Sequence, residues 1–394
     1  MNINTIKSLP PAELTDINIG YMRLVDSAPL IIAKELGFYE DLGLTVSLER
    51  EMSWANIRDK AIAGIFDACQ MLSAMPLMTT LGATGIRAPM ITGLVLSLNG
   101  DAITVSASLW SKLRQFNVDT QSALGNAKGL KQIVDNDTAG QLTFATVHSF
   151  SNHTILLRRW LQAGGINPNT DVRIIVLPPE QMIDSLAQGV IDGFCAGSPW
   201  NTIAVDYGIG MIATTGFDVW NNAPSKVLGT LESWHRKYPA THLRLRLAVM
   251  QACQWLEDWD NREKAVAIIG ASEYLDLPEK YLRPSLTGKL VQNRTTPAQQ
   301  HDNFHVFARY CSGFPWRSQA ETILTEFSPM LGKPIEKEKM AALAQQCFRT
   351  DLYREAATKL NQPYPLQDHK PKQHHSSPWM LGDIELGSDL MLGN

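Results

Sequence analysis

Charge is scarce in this chain. Of its 394 residues only 19% are Asp, Glu, Lys or Arg, and the formal net charge is -4. A protein that grips nucleic acid needs a basic face for the phosphates, so direct nucleic-acid binding is excluded as an expectation. No apolar run approaches the roughly 18 residues that span a bilayer, which leaves no membrane segment. Cysteine is also sparse. The five cysteines (Cys69, Cys195, Cys253, Cys311 and Cys347) are odd in number, widely spaced and without a CxxC pair. That pattern fits buried thiols in a reducing compartment better than disulfides or a zinc site. The N-terminal stretch MNINTIKSLPPAELTDINIG lacks a basic segment, an apolar segment, a cleavage site and a cysteine for lipidation, so a cytoplasmic location is expected. The recurring catalytic motifs are missing too. There is no P-loop, no GxGxxG after a strand, no HExxH and no nucleophile elbow, and His148, His153 and the scattered Asp and Cys residues form no recognisable triad. The expectation is a protein that is not an enzyme.

What is present centres on residues 141–160, QLTFATVHSFSNHTILLRRW. LTFATV alternates and is rich in β-branched and aromatic residues, which predicts a short strand. A polar turn follows, then TILLRRWLQAGG with helical spacing and a glycine stop. Such a strand–turn–helix unit places unpaired backbone N–H groups at a helix start, where an anion can sit. Ser149, Ser151, Asn152, His153 and Thr154 add side-chain donors. The plainer alternative is that Ser151 or Asn152 only caps the helix.

Taken in order, residues 1–15 form a loose leader. Residues 16–101 read as the first part of one lobe: strand INIGYMRL, helix SAPLIIAKELGFYEDLG, strand LTVSLERE, helix SWANIRDKAIAG, buried strand FDACQML, helix MPLMTTLGATG and strand MITGLVLSL. This βαβαβ opening predicts a parallel sheet with right-handed crossovers. At Leu98–Asp101 the chain turns, and DAITVSASLW reads as a strand crossing into a second lobe, residues 102–222. Residues 223–360 return to the first lobe and continue as helices, and 361–394, rich in Pro, Gln, His and Ser, read as an extended tail. Two α/β lobes joined by two crossings describe a hinged binding protein with its ligand between the lobes.

GYMRLVDSAPLIIAKELGFYEDLGL, SWANIRDKAIAG, LNGDAITVS, WLQAGGINPNTDVRIIVLPPEQMIDSLAQGVIDGFCAGSPWN and APSKV together resemble the nitrate- and bicarbonate-binding proteins of ABC transporters, over roughly residues 16–350. The fold this implies is α/β, two-lobed and periplasmic-binding-protein-like (type II), with a hinge and C-terminal helices. Without an export signal the chain looks most like the family's cytoplasmic branch, the NasS-type nitrate/nitrite sensors. The resemblance then implies a partner, an RNA-binding antiterminator of the ANTAR class that is released when nitrate or nitrite arrives. The other implied reading is the nitrate- or bicarbonate-binding subunit of an ABC transporter. On the family's pattern the anion pocket falls on Trp54, Gly100, Asp101, His153 and Lys226. An indole suits a planar, weakly hydrated anion, Lys226 supplies charge, and His153 donates one N–H when neutral and two when protonated. Asp101 departs from the Gln expected of the nitrate proteins; it can face away, pair with Lys226 or hold a backbone amide, so Gly100 ranks ahead of it. Ser198 stands where the family usually has an acid associated with a cation, so no metal and no cofactor beyond the anion are expected.

Each pocket residue also has a plainer role. Trp54, just after a capping Ser53, could be a core residue, and Lys226 alone would be a surface lysine. His148 lies close enough to exchange roles with His153. Arg58 and Asp59 read as a pair pinning a helix, and the tryptophans at 160, 200, 255 and 259 as core.

Overall fold

The computed structural model describes residues 6, 8–116, 118–136, 140–371 and 374–393. Its first lobe is a six-stranded sheet, ordered β13-β4-β10-β3-β1-β2. The strands are β1 (Asp16–Met22), β2 (Thr45–Glu51), β3 (Ala68–Leu72), β4 (Met90–Asn99), β10 (Pro224–Leu231) and β13 (His305–Val306). Pairing of β1 with β2 and β3 is parallel, as the βαβαβ opening predicts. β4 does not continue that run. The return strand β10 is wedged between β3 and β4 and is antiparallel to both. Local periodicity is blind to this, because β10 arrives only after the second lobe is complete. All ten residues of β4 are buried, as an unbroken apolar run in a central strand should be.

The second lobe holds five strands in the order β7-β6-β8-β5-β9. They are β5 (Asp101–Ser106), β6 (Thr143–Thr146), β7 (Arg173–Val176), β8 (Gly193–Gly197) and β9 (Gly210–Thr215). β5 is shorter than the predicted DAITVSASLW. It ends at Ser106, whose hydroxyl accepts from Leu109 N at 3.1 Å and caps a helix, Ala107–Leu113. One crossing between lobes is thus Gly100, between β4 and β5. The other is the stretch 220–223, between the helix Gly216–Val219 and β10.

Helices cover both sheets. The longest, Pro239–Trp255, buries twelve of its seventeen residues against the first lobe. Pro239 suits its first turn, and Glu13 accepts from Ala240 N (3.0 Å) and Thr241 N (2.8 Å). Leu14 N also donates to Thr241 Oγ1 at 3.0 Å. The described part of the predicted loose leader is therefore pinned to this helix. The helix Arg317–Phe327 does not belong to the first lobe alone, since Phe327 meets Phe150 of the second lobe edge-on at 5.3 Å.

Residues 361–394 are not an extended tail over their described part. Asp368 accepts from Thr350 Oγ1 and Arg354 Nη2, both at 2.7 Å, and pairs with Arg317 at 2.6 Å. A hairpin of β14 (Trp379–Leu381) and β15 (Ile384–Leu386) follows and buries Leu386. The chain then crosses to the second lobe, where Asn221 N donates to Leu390 O and Leu392 N to Val219 O, both at 2.8 Å. A strap thus runs over the second crossing. Its polar composition hides the anchors, Arg354 and Arg317, which lie in helices earlier in the chain.

Candidate functional site

The seam between the lobes carries a buried cluster built on the first crossing. Gly100 adopts φ +84, and the imidazole of His305 packs so close that a Cβ at this position would lie 2.1 Å from its Cε1. Only glycine fits both constraints. Asp101 opens β5 directly after it and is fully buried. β10 brings Lys226 to the same point, also with no exposure. Its Nζ lies 2.8 Å from Asp26 Oδ2 and 3.6 Å from Asp101 Oδ1, and donates to Ser225 Oγ at 2.7 Å.

From the second lobe comes the helix Asn152–Ala163. Ser151 caps it by accepting from Thr154 N at 3.2 Å, so the plain capping role is real. It does not exclude the anion role, because a carboxylate occupies the helix start. Asn152 Nδ2 donates to Asp101 Oδ2 at 3.1 Å, and His153 Nε2 lies 2.8 Å from Asp101 Oδ1. The negative charge at this N-terminus is the chain's own. Ser225 Oγ completes the shell at 3.0 Å from Asp101 Oδ2. Asp26 in turn accepts from Gln70 Nε2 at 2.5 Å.

Trp54 begins the helix Trp54–Ile62, which Ser53 caps through Asn56 N at 3.1 Å. The indole is 1% exposed, and Lys226 Nζ lies 5.8 Å from its ring centroid. Trp54 Nε1 and His153 Nδ1 are buried with no hydrogen-bond partner among the described residues. Native interiors rarely leave such donors unused, and a planar oxyanion would use them.

The electrostatics are lopsided. Burial would raise the Asp101 carboxyl, but His153 and Lys226 outweigh it and hold the group well below the usual carboxylate range. At Asp26 burial wins over Lys226, and that carboxyl lies above its usual range. Burial would lower Lys226, yet Asp101 and Asp26 together raise it. Burial, with Arg262 assisting, pushes His305 down to about 3, so it is neutral.

Trp54, Gly100, Asp101, His153 and Lys226 are thus brought to one place. Asp101 does not face away; it pairs with His153 and Lys226. His148 stays outside the cluster, where its Nδ1 accepts from Phe150 N at 3.0 Å. Arg58 pairs with Asp59 at 2.7 Å. Trp160 and Trp200 are buried and Trp255 is partly so, but Trp259 is 37% exposed with the Arg262 guanidinium over its ring, so it is not core. Ser198 N donates to Gly100 O at 3.1 Å, and Ser198 O accepts from Val25 N at 3.0 Å, so it ties the lobes together. Among the described residues no group of three or more His, Cys, Asp or Glu could hold a metal ion, and no helix is long and apolar enough to cross a membrane. Sequence reasoning missed Asp26, Gln70, Ser225 and His305. Asp26 carried no local signal, because its lysine partner lies two hundred residues along the chain.

Gly100→Ala should destabilise the fold by about 2–4 kcal/mol, from left-handed strain plus overpacking against His305. Urea unfolding monitored by tryptophan fluorescence checks this, and an unchanged midpoint would show that the crossing is less constrained than described.

A family model described as NMT1-like matches residues 10–270. The chain belongs to the NMT1-like family. This NMT1-like chain is 36% identical over 359 residues to a "Nitrate import ATP-binding protein NrtC" of Synechocystis sp., covering 91% of the chain and 52% of that protein. It is 32% identical over 350 residues to a "Bicarbonate transport ATP-binding protein CmpC" of Synechococcus elongatus, covering 88% and 50%. The chain therefore spans about half the length of these curated relatives. Among solved structures, the periplasmic nitrate-binding protein NrtA from Synechocystis superposes with a TM-score of 0.85 at 28% identity, covering 92% of this chain and 94% of that one. The fold is the two-lobed, periplasmic-binding-protein-like α/β architecture.

Proposed function

We propose that this protein binds a small planar oxyanion, nitrate or its close relatives nitrite and bicarbonate, between its lobes. The observation that carries this reading is the placement of Lys226, His153 and Trp54 at a buried seam on a helix start. The relatives support it, because their names concern nitrate, nitrite or bicarbonate. Lys226 supplies charge, His153 and Trp54 supply donors, and the indole face covers a weakly hydrated ligand. Contacts on both lobes let binding energy differ between open and closed arrangements, which any switch or delivery step requires.

The same names favour a solute-recognition role in transport, with an ABC transporter as partner. That is the reading we take for the biological context. The sensor reading, a cytoplasmic protein that holds an ANTAR-class antiterminator until nitrate or nitrite releases it, rests on sequence resemblance. Pull-down of the endogenous protein separates the two. Transporter subunits in the eluate support the first, and an antiterminator that leaves on addition of nitrate supports the second.

Oxyanion binding itself is tested by calorimetry at fixed ionic strength with nitrate, nitrite, bicarbonate, sulfate and chloride. His153→Ala should weaken binding of the preferred anion by about 10- to 100-fold, as expected for losing a hydrogen bond to a charged partner. Equal affinity in the variant would remove His153 from the site.

A further inference from the structure

Building on the oxyanion reading, we propose that this site takes up its anion together with one proton. The cluster has no positive charge to spare. Lys226 stands between two carboxylates, at 2.8 Å from Asp26 and 3.6 Å from Asp101. His153 is committed to Asp101 at 2.8 Å. Among the described residues no spare cation waits on the elements packed around them. Gln70 on β3 is neutral and donates to Asp26. Cys195 on β8 is a buried thiol that burial pushes up, so it stays protonated. His305 on β13 is neutral, and Arg262 behind it is paired with Glu257 at 3.1 Å. Arg58, on the same helix as Trp54, is paired with Asp59.

An oxyanion entering this seam adds one negative charge where two carboxylates face one lysine. Leaving that charge uncompensated in a buried site costs more than neutral hydrogen bonds return. One proton offsets the charge that the anion adds. Asp26, buried 2.8 Å from Lys226, is the acceptor, because burial already lifts its carboxyl above the usual range and Lys226 only partly offsets this.

Asp101 is then the residue that sets the linkage. It occupies the helix start as a built-in anion, and a neutral amide there would free one positive charge for the ligand. The sign follows from mass action: the complex holds one more proton than the free protein, so affinity rises as pH falls.

The test is calorimetric titration with sodium nitrate between pH 6 and 8 at fixed ionic strength. It is run in two amine buffers of different ionisation enthalpy, on the wild-type chain, Asp101→Asn and Asp26→Asn. The expected result is a wild-type affinity that tightens by about tenfold per unit of falling pH, with uptake of about one proton. Asp101→Asn should bind at least about tenfold tighter at pH 8, with a flattened slope. Asp26→Asn should also flatten the slope, and serves if the first variant folds poorly. A wild-type affinity constant within twofold across this range, with no buffer-dependent heat, overturns the proposal. Sodium nitrite and sodium bicarbonate are titrated beside nitrate at pH 8, and no binding of any of the three anions by any of the three proteins overturns the oxyanion reading instead.

Discussion

Lys226→Met lowers the stability of the protein by about 3–5 kcal/mol at neutral pH, the expected result of leaving two buried carboxylates without their cation. It also abolishes anion binding. Methionine matches the length and apolar stem of lysine, so the loss is electrostatic rather than a cavity. In the wild type, the Asp101 carboxyl lies below its unfolded value, so its contribution is present above the ordinary carboxylate range and fades only as pH falls towards the folded value. Without Lys226, burial raises the Asp26 carboxyl further above its unfolded value, and its favourable protonated form is lost as pH rises, while Asp101 keeps His153 and Ser225. The variant therefore gains stability on acidification from pH 7.5 to 5.5, and the gap to wild type narrows. Urea midpoints at the two pH values check the sign. A variant that tracks wild type at both would mean that the cluster is hydrated rather than buried. Adding Asp26→Asn to Lys226→Met should recover part of the loss, since residues in one ion cluster couple by about 0.5–3 kcal/mol.

The second large effect lies behind the site. Glu257 Oε2 accepts three backbone N–H groups, from Phe307 (2.9 Å), Ala308 (2.7 Å) and Arg309 (3.2 Å). Its Oε1 pairs at 3.1 Å with Arg262 Nη2 and at 3.1 Å with Arg309 Nη1. Arg262 is fully buried and spends further donors on Leu256 O (2.7 Å) and Leu286 O (3.3 Å). Glu257→Ala strands a buried guanidinium and three amides at once, and should cost about 3–5 kcal/mol. Glu257→Gln, which keeps one oxygen acceptor, should cost less. The segment released includes the neighbour of His305, which packs on Gly100, so anion affinity should fall along with stability. Urea unfolding of both variants measures the first effect and nitrate titration the second. Near-wild-type stability in the alanine variant would sink the idea that this carboxylate organises the loop.

Much of this arrangement was legible because it is local. The strand, polar turn and helix at 143–163, the crossing at Gly100 and the capping serines Ser53 and Ser151 all follow from short-range chemistry. Gly100, Asp101, His153, Trp54 and Lys226 came from the family pattern. They could not have been assembled from spacing, since Lys226 lies far along the chain from Asp101. Asp26 was overlooked because VDS reads as the lead-in to a helix, and its lysine partner arrives on a strand two hundred residues later. The wedging of β10 between β3 and β4 was hidden for the same reason. The described part of residues 361–394 was misread because polar composition reports solubility and not anchorage, and its anchors are Arg317 and Arg354.

The strap also settles where the ends of the described chain are tied. Near the N-terminus, Leu14 is held by Thr241 and Pro10 O by Arg244 at 2.8 Å, all within the first lobe. At the other end Leu392 is bonded to Val219, and Gly393 lies beside Ala163 of the helix that presents His153. The two ends are handles on different lobes. A donor and acceptor dye attached to them would convert the angle of the cleft into a distance, and read ligand-driven closure without altering a residue of the site.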